Sequence, residues 1–393
     1  MQSGPISQLY SARSKMQSIV SYALLILLSL AFVLSDWIYK QITFAEYILL
    51  FILILLILTV NFKLKREQLV VITGLVGFLA AHVMLQYAFN DAFVIRTAVM
   101  GILKLLFYSV MVTVVINYLR EHKLTRSFLI INNVLAVLVI LIGVYITFEL
   151  YRETRVPQEI FWRFTRRDIY SYYFESNPAI IRTRSIFSEP AHLGFYLNTL
   201  IAVNLFSKVK SKGLFLFSVV LSLGILSTFS YSMIGILIVI VLIKIALLFY
   251  TKSFKWSNWL LLIPLSLVLF SIFYWDIIET TLIQRTVSVF TGQDTSARMR
   301  LFDSWQYVDR STILLGNGLG QTPVVTNVYA YAVSDFGIAG LLVLSGFTIW
   351  ILRENWALGL IFILLNSAKG GYLSSGYWLM ILLIVLYTVD ERV

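Results

Sequence analysis

A chain of 393 residues that is 59% apolar, only 13% charged and of mean hydropathy +0.85 is not a soluble domain, which carries about 25% charged residues. Cysteine is absent, which excludes disulfides, thiolate nucleophiles, iron–sulfur clusters and cysteine-held zinc. The three histidines, His82, His122 and His192, have no partners at helical metal-ligand spacing, so neither a metal nor another cofactor is expected.

A helix crosses the hydrocarbon with about 20 apolar residues. On that measure the sequence predicts an all-α, polytopic membrane protein with about twelve spans: 17–35, 44–62, 69–89, 93–118, 127–150, 191–207, 213–229, 230–250, 257–275, 326–350, 355–368 and 372–389. The 213–250 region can be divided in more than one way, and 355–368 is short enough to be re-entrant. The first run follows Arg13 and Lys15, is long for a signal-peptide core and lacks a small-residue cleavage site, so it is expected to remain as a span.

Basic residues crowd alternate short loops: Lys63, Lys65 and Arg66; Arg120, Lys123 and Arg126; Lys208, Lys210 and Lys212; Lys252 and Lys255. The positive-inside rule assigns these loops, and with them both termini, to the cytoplasm. Attraction to anionic lipid headgroups accounts for these lysines and for the net charge of +11. No nucleic-acid partner is expected. There is no Walker loop, no dinucleotide fingerprint and no cytoplasmic segment long enough for a nucleotide-binding domain.

The chain reads as one membrane domain, 1–393, with two long extracytoplasmic loops, 151–190 and 276–325. The loops hold eleven arginines and no lysine. Arginine presents a planar fork of donors that grips phosphate oxygens two at a time, whereas lysine is a mobile point charge. The loops therefore read as two halves of one anion site. Residues 151–174 mix arginine with Trp162, Tyr170, Tyr172 and Tyr173. That mixture suits sugar and phosphate recognition, and equally a helix anchored in the headgroup layer.

The most specific run is Arg182-Thr-Arg184-Ser-Ile-Phe-Ser188-Glu189-Pro190-Ala-His192-Leu-Gly194. Ser188 suits an N-cap with Pro190 in the first turn. A helix starting there aims its unpaired N–H groups at the outer loop, where Arg182 and Arg184 add full charges. Glu189 also suits a first-turn acid, and His192 an interhelical hydrogen bond. The second loop offers Arg298, Arg300, Asp303 and Trp305 on a helix expected over 297–310, then Gly316-Asn-Gly-Leu-Gly320. The glycine run reads as a tight turn ahead of a span that begins Thr326-Asn327-Val-Tyr329 and continues to Gly337 and Gly340. Within the spans, Lys104 is expected to meet a carboxylate such as Asp335 or a diphosphate oxygen, and Lys244 to snorkel.

Three segments, Arg184 to Gly194, Arg298 to Gly320 and Asn327 to Gly340, give the C-terminal half a resemblance to the Wzy-like O-antigen polymerase and ligase superfamily. The N-terminal half is similar only in hydropathy. Ligases of that superfamily carry a histidine, then Asn, Ser or Gln, then nine residues before G-x-x-G. Here Asn327, the gap, Gly337 and Gly340 match, but Thr326 fills the histidine position and Tyr231 replaces a frequent arginine.

The resemblance thus favours a polymerase and leaves its base unassigned. It implies a GT-C-like membrane glycosyltransferase in the cytoplasmic membrane of a bacterium, acting on lipid-linked oligosaccharide donor and acceptor, beside a flippase and a chain-length regulator. On this reading Arg182, Arg184, Arg298 and Arg300 hold the polyprenyl diphosphate leaving group, and Asn327 and Tyr329 lie near the acceptor. Glu189 or His192 is then the base. The alternatives are a ligase-type glycan transferase, a flippase or transporter of the same lipid, and a scaffold for polysaccharide assembly.

Overall fold

The computed structural model describes residues 5–166, 172–174, 177–209, 211–250, 275, 279, 283–308, 310–323 and 325–389. The expected span 257–275 lies outside the described residues apart from Trp275, as do Arg167, Asp168, Tyr170, Glu175 and Asp309. What is described is helical: α1 (Pro5–Val33), α2 (Phe44–Leu58), α3 (Arg66–Phe89), α4 (Ile95–Glu121), α5 (Thr125–Tyr151), α6 (Pro190–Phe206), α7 (Lys212–Ser227), α8 (Tyr231–Tyr250), α9 (Gln284–Phe290), α10 (Thr295–Leu301), α11 (Val328–Glu354), α12 (Trp356–Ala368) and α13 (Ser375–Thr388). Five of these, α3, α4, α5, α8 and α11, are long and apolar enough to cross a membrane. Two small antiparallel hairpins, β1 (Ile38–Tyr39) with β2 (Ile42–Thr43) and β3 (Tyr173–Phe174) with β4 (Asn177–Ile181), depart from a purely helical fold.

The exterior is apolar. Leu50, Phe51 and Ile54 on α2, Val70, Val71 and Met84 on α3, and Leu138, Leu141 and Val144 on α5 are all exposed. Such a surface is stable against lipid and not against water, so the protein is a helical membrane protein. At the centre stands α6, buried from Leu193 to Phe206 on every side, as expected of a helix that is apolar all round. It packs on α5, α7, α8, α12 and α13. Gly194 lets α8 approach, since a Cβ there would lie 2.6 Å from Met233.

Hydrogen bonds between helix ends define two faces. Asn355 Nδ2 donates to Phe206 O at 3.0 Å and Tyr387 Oη to Thr125 O at 2.7 Å. The ends of α6, α11 and α13 thereby share a face with the start of α5 and with Lys63, which is paired to Glu121. Several of the helices that reach the opposite face are short. At 1.5 Å per residue, the 17, 16, 13 and 14 residues of α6, α7, α12 and α13 span about 25, 24, 20 and 21 Å, less than the ~30 Å of hydrocarbon. Their ends on that side meet through Arg182 at Thr228 O, Arg300 at Ala368 O and Lys369 at the Phe195 ring, and this cluster of helix ends is termed the bowl.

One expected span is broken. The 326–350 run folds as two helical stretches, 328–336 and 338–354, joined at Gly337 with φ 63° and ψ −152°. The stretches fold back on one another: Tyr329 Oη meets Thr348 Oγ1 at 3.2 Å, and a Cβ on Gly340 would lie 2.5 Å from Ala332 O. The glycine run 316–320 clasps this reversal. Asn317 N donates to Ser334 O at 2.7 Å and Gly318 N to Asp335 O at 3.1 Å. The Asp335 carboxylate accepts from Gly320 N at 2.8 Å, from Thr322 N at 3.1 Å and from Tyr372 Oη. Asp335 is therefore occupied, and Lys104 pairs with Glu46 at 3.1 Å instead. Lys244 Nζ donates to Leu205 O at 2.8 Å, near the negative end of the α6 dipole.

Candidate functional site

The first long loop enters the bundle instead of covering it. After the β3–β4 hairpin, residues 182–188 descend between α5 and α7. Thr183 N donates to Ser227 O at 3.0 Å, and Ser185 Oγ to Val139 O at 2.6 Å. Gly143 makes room, since a Cβ there would lie 2.8 Å from Thr183 Cγ2. Trp162 is completely buried and donates Nε1–H to Ser185 O at 2.8 Å. The headgroup-anchor reading of this segment is thus corrected, because Trp162 and Tyr172 belong to the core. Its neighbour Arg184, 1% exposed, stacks on the Trp162 ring at 3.6 Å and donates to Ser188 O at 2.8 Å and Arg166 O at 2.7 Å. Its guanidinium holds the loop together.

Arg182 has the opposite fate. Its Nε donates to Thr228 O at 3.3 Å, and it shares an electrostatic environment with Arg285, Arg300 and Glu189. Burial, followed by the like charges of Arg285 and Arg300, pulls its pKa down to about 10 against the opposing pull of Glu189. It remains a cation at neutral pH. Arg300 comes from α10, with Nε donating to Ala368 O at 3.0 Å and Nη1 to Ser296 O at 3.1 Å. Burial and Arg285 lower its pKa, while Asp294 and Glu189 raise it. Arg285, on α9, pairs with Asp294 at 2.7 Å and lies 5.8 Å from the centre of the Tyr231 ring.

Lys369 follows α12 at the floor of the bowl. Its ammonium lies 5.0 Å from the centre of the Phe195 ring. Burial lowers its pKa, opposed by Asp36 and Glu189. Among the described residues, Arg182, Arg300 and Lys369 have no carboxylate within ion-pair distance. Three cations from three segments thus sit together without a direct ion pair, with Glu189, Asp36 and Asp294 acting on them from a distance.

Beside them the α1–β1 turn contributes Asp36. Its Oδ2 accepts from His192 Nδ1 at 2.5 Å, Ser188 Oγ at 2.8 Å and Ser188 N at 3.1 Å. Burial would raise the Asp36 pKa, but the charges of His192 and Lys369 and the hydrogen bonds from His192 and Ser188 hold it well below the usual carboxylate range. Ser188 is consequently not the N-cap of α6. Glu189 occupies that position without a side-chain cap bond, and its carboxylate is paired with Arg166 at 3.0 Å. Family models, curated proteins and solved structures yield no match to this chain.

Of the residues read from the sequence, Arg182, Arg300, Glu189 and His192 come together, and Arg184 lies beneath them as a brace. Arg298 does not join. It is exposed on α10 and pairs with Asp303 at 3.3 Å. The expected helix over 297–310 stops at Leu301 and tightens into a 3₁₀ turn, Asp303–Trp305, and Arg298 and Arg300, two positions apart on α10, point to opposite sides of it. Asn327 is spent as the N-cap of α11, accepting from Tyr329 N at 3.0 Å and Ala330 N at 3.2 Å. Tyr329 turns toward Thr348. Asp36, Arg285 and Lys369 were not singled out in the sequence. Lys369 had a signal there, as the residue that ends the lysine-free stretch after Lys255.

Proposed function

We propose that this chain is a polysaccharide repeat-unit polymerase that transfers a glycan from a polyprenyl diphosphate donor to a sugar hydroxyl of a second lipid-linked repeat unit. The observation that carries the proposal is the trio Arg182, Arg300 and Lys369, none of them in a direct ion pair, gathered at one cluster of helix ends with Arg285 beside it. A diphosphate brings the negative charge such a trio lacks, and burial makes each contact stronger than in water. The acceptor oxygen attacks the anomeric carbon as the bond from that carbon to the diphosphate oxygen breaks. Charge grows on the departing oxygen, which is where preorganised guanidinium and ammonium groups lower the barrier.

The same reading places the bowl on the outer side of a bacterial cytoplasmic membrane, with twelve spans in a GT-C-like arrangement and both termini inside. It is supported by the basic turns Lys63–Arg66 and Arg120–Arg126, which lie on the face opposite the bowl. A ligase-type transfer is less well supported. Thr326, in place of the ligase histidine, has its hydroxyl 3.1 Å from Ser304 Oγ and offers no base. A flippase needs an alternating path, whereas residues 182–188 are wedged between α5 and α7.

The test is reconstitution of purified protein in vesicles with diphosphate-linked repeat units. A ladder of lengthened lipid-linked glycans is expected. Protection of the lipid in the inner leaflet without lengthening would refute the proposal in favour of a flippase, and neither result would leave a scaffold.

A further inference from the structure

His192 lies in the first turn of α6, at the edge of the cation trio, with a quarter of its side chain exposed to the bowl. Its two ring nitrogens have different surroundings. Nδ1 faces Asp36 Oδ2 at 2.5 Å and Ser188 Oγ at 2.9 Å. Asp36 is held ionised, so its oxygen only accepts, and the proton in that contact belongs to Nδ1. Nε2 is then the nitrogen left without a proton in this tautomer. Among the described residues it makes no hydrogen bond; Glu189 Oε2, at 4.0 Å, is too far.

This is not a serine-nucleophile arrangement. Ser188 approaches the same nitrogen as Asp36 and donates its own hydroxyl proton to the carboxylate at 2.8 Å. It buttresses Asp36 and is not activated by Nε2. Glu189 is less suited as a base than His192, because Arg166 occupies its Oε1 in an ion pair at 3.0 Å.

We propose that His192, through Nε2, is the general base that takes the acceptor hydroxyl proton, and that Asp36 is the positioning residue that fixes its tautomer and orientation. The inference rests on the glycan-transfer reading above. As the acceptor oxygen bonds to the anomeric carbon, its proton passes to Nε2. The electron pair of the broken carbon–oxygen bond leaves on the polyprenyl diphosphate, against Arg182, Arg300 and Lys369. The imidazolium formed is stabilised by Asp36 across Nδ1, while the charge of Lys369 helps keep the carboxylate from taking that proton. The charged groups around the ring are Asp36 from the α1–β1 turn, Glu189 at the entry to α6 and Lys369 after α12, with Arg166 and Arg182 acting through Glu189.

The experiment uses full-length protein in vesicles with the lipid-linked repeat unit, and compares wild type, His192→Ala, Asp36→Asn, the double variant and Glu189→Gln, each checked for an unchanged melting temperature. His192→Ala is expected to lower kcat by about 10²–10⁴-fold with KM nearly unchanged, and added imidazole to restore part of it. Asp36→Asn is expected to lower kcat at least about tenfold, and the double variant to be no slower than His192→Ala alone, because residues acting as one unit do not add. Should Asp36→Asn fail to fold, imidazole rescue of His192→Ala and the comparison with Glu189→Gln still decide the base. Losses confined to KM, additive losses, absent rescue or a larger loss in Glu189→Gln would each overturn the assignment. A wild type that lengthens no glycan would instead overturn the transfer reading beneath it.

Discussion

Arg184→Ala separates a brace from a ligand. The wild-type guanidinium donates at 2.8 Å and 2.7 Å to two backbone carbonyls and stacks at 3.6 Å on a buried indole. Each charge-assisted hydrogen bond is worth about 1.5–3 kcal/mol, and a desolvated cation–π contact about 2 kcal/mol. Removal therefore costs on the order of 5–8 kcal/mol before relaxation, and it strands Ser188 O and Arg166 O beside the entry to α6. For a chain of this size the melting temperature should fall by about 10 °C or more, and detergent-extracted protein should lose its monodisperse peak. Arg184→Lys should fall between, since an ammonium keeps the charge but not the fork. The assay is size-exclusion chromatography with a thermal ramp on matched expressions. A folded Arg184→Ala that melts within about 2 °C of wild type and fails only in glycan lengthening would refute the brace and make this side chain a ligand.

Arg182→Gln should do the reverse, lengthening glycans at least about 10²-fold more slowly while matching or exceeding the wild-type melting temperature in anion-free buffer. Adding inorganic pyrophosphate should stabilise the wild type more than this variant; equal stabilisation would count against the cation trio. The pH dependence follows from the lowered pKa of Arg182, about 10. The unfolded chain binds that proton more tightly, so this group's contribution to stability rises as pH rises through the folded value toward the unfolded one. Melting curves of wild type and Arg182→Gln between about pH 9 and 11 should show that rise only in the wild type. Lys104→Met should destabilise by stranding Glu46 beside Tyr108, and Glu46→Gln should recover much of the loss in the double variant. Gly337→Ala should abolish folded protein, because φ is 63° and the new Cβ would lie 2.3 Å from Leu314 O; a normal thermal ramp would contradict the tight reversal.

Hydropathy made the helices legible, since a run of apolar residues near 20 long has few other uses. It marked 355–368 as short, but did not reveal that Gly337 breaks the 326–350 run into two stretches, because hydropathy does not register a change of chain direction. Gly337 and Gly340 were visible as a motif. What they do, a left-handed turn and a close approach to Ala332, needed the backbone. Among the arginines, abundance in a loop was readable, but the choice between Arg182 and Arg184 turned on the irregular backbone of 182–188, which sends one side chain toward Thr228 and the other onto Trp162. Asp36 was invisible because it lies 156 positions from His192 in the chain and carries no local pattern.

Ser185, with φ 52°, is anchored to Val139, 12 residues before the end of α5 and so about 18 Å along that helix. A chain segment wedged this deep is a stopper as much as a scaffold. It fills the gap between α5 and α7 from within, so the loop cannot lift away without parting Ser185 from Val139 and Thr183 from Ser227.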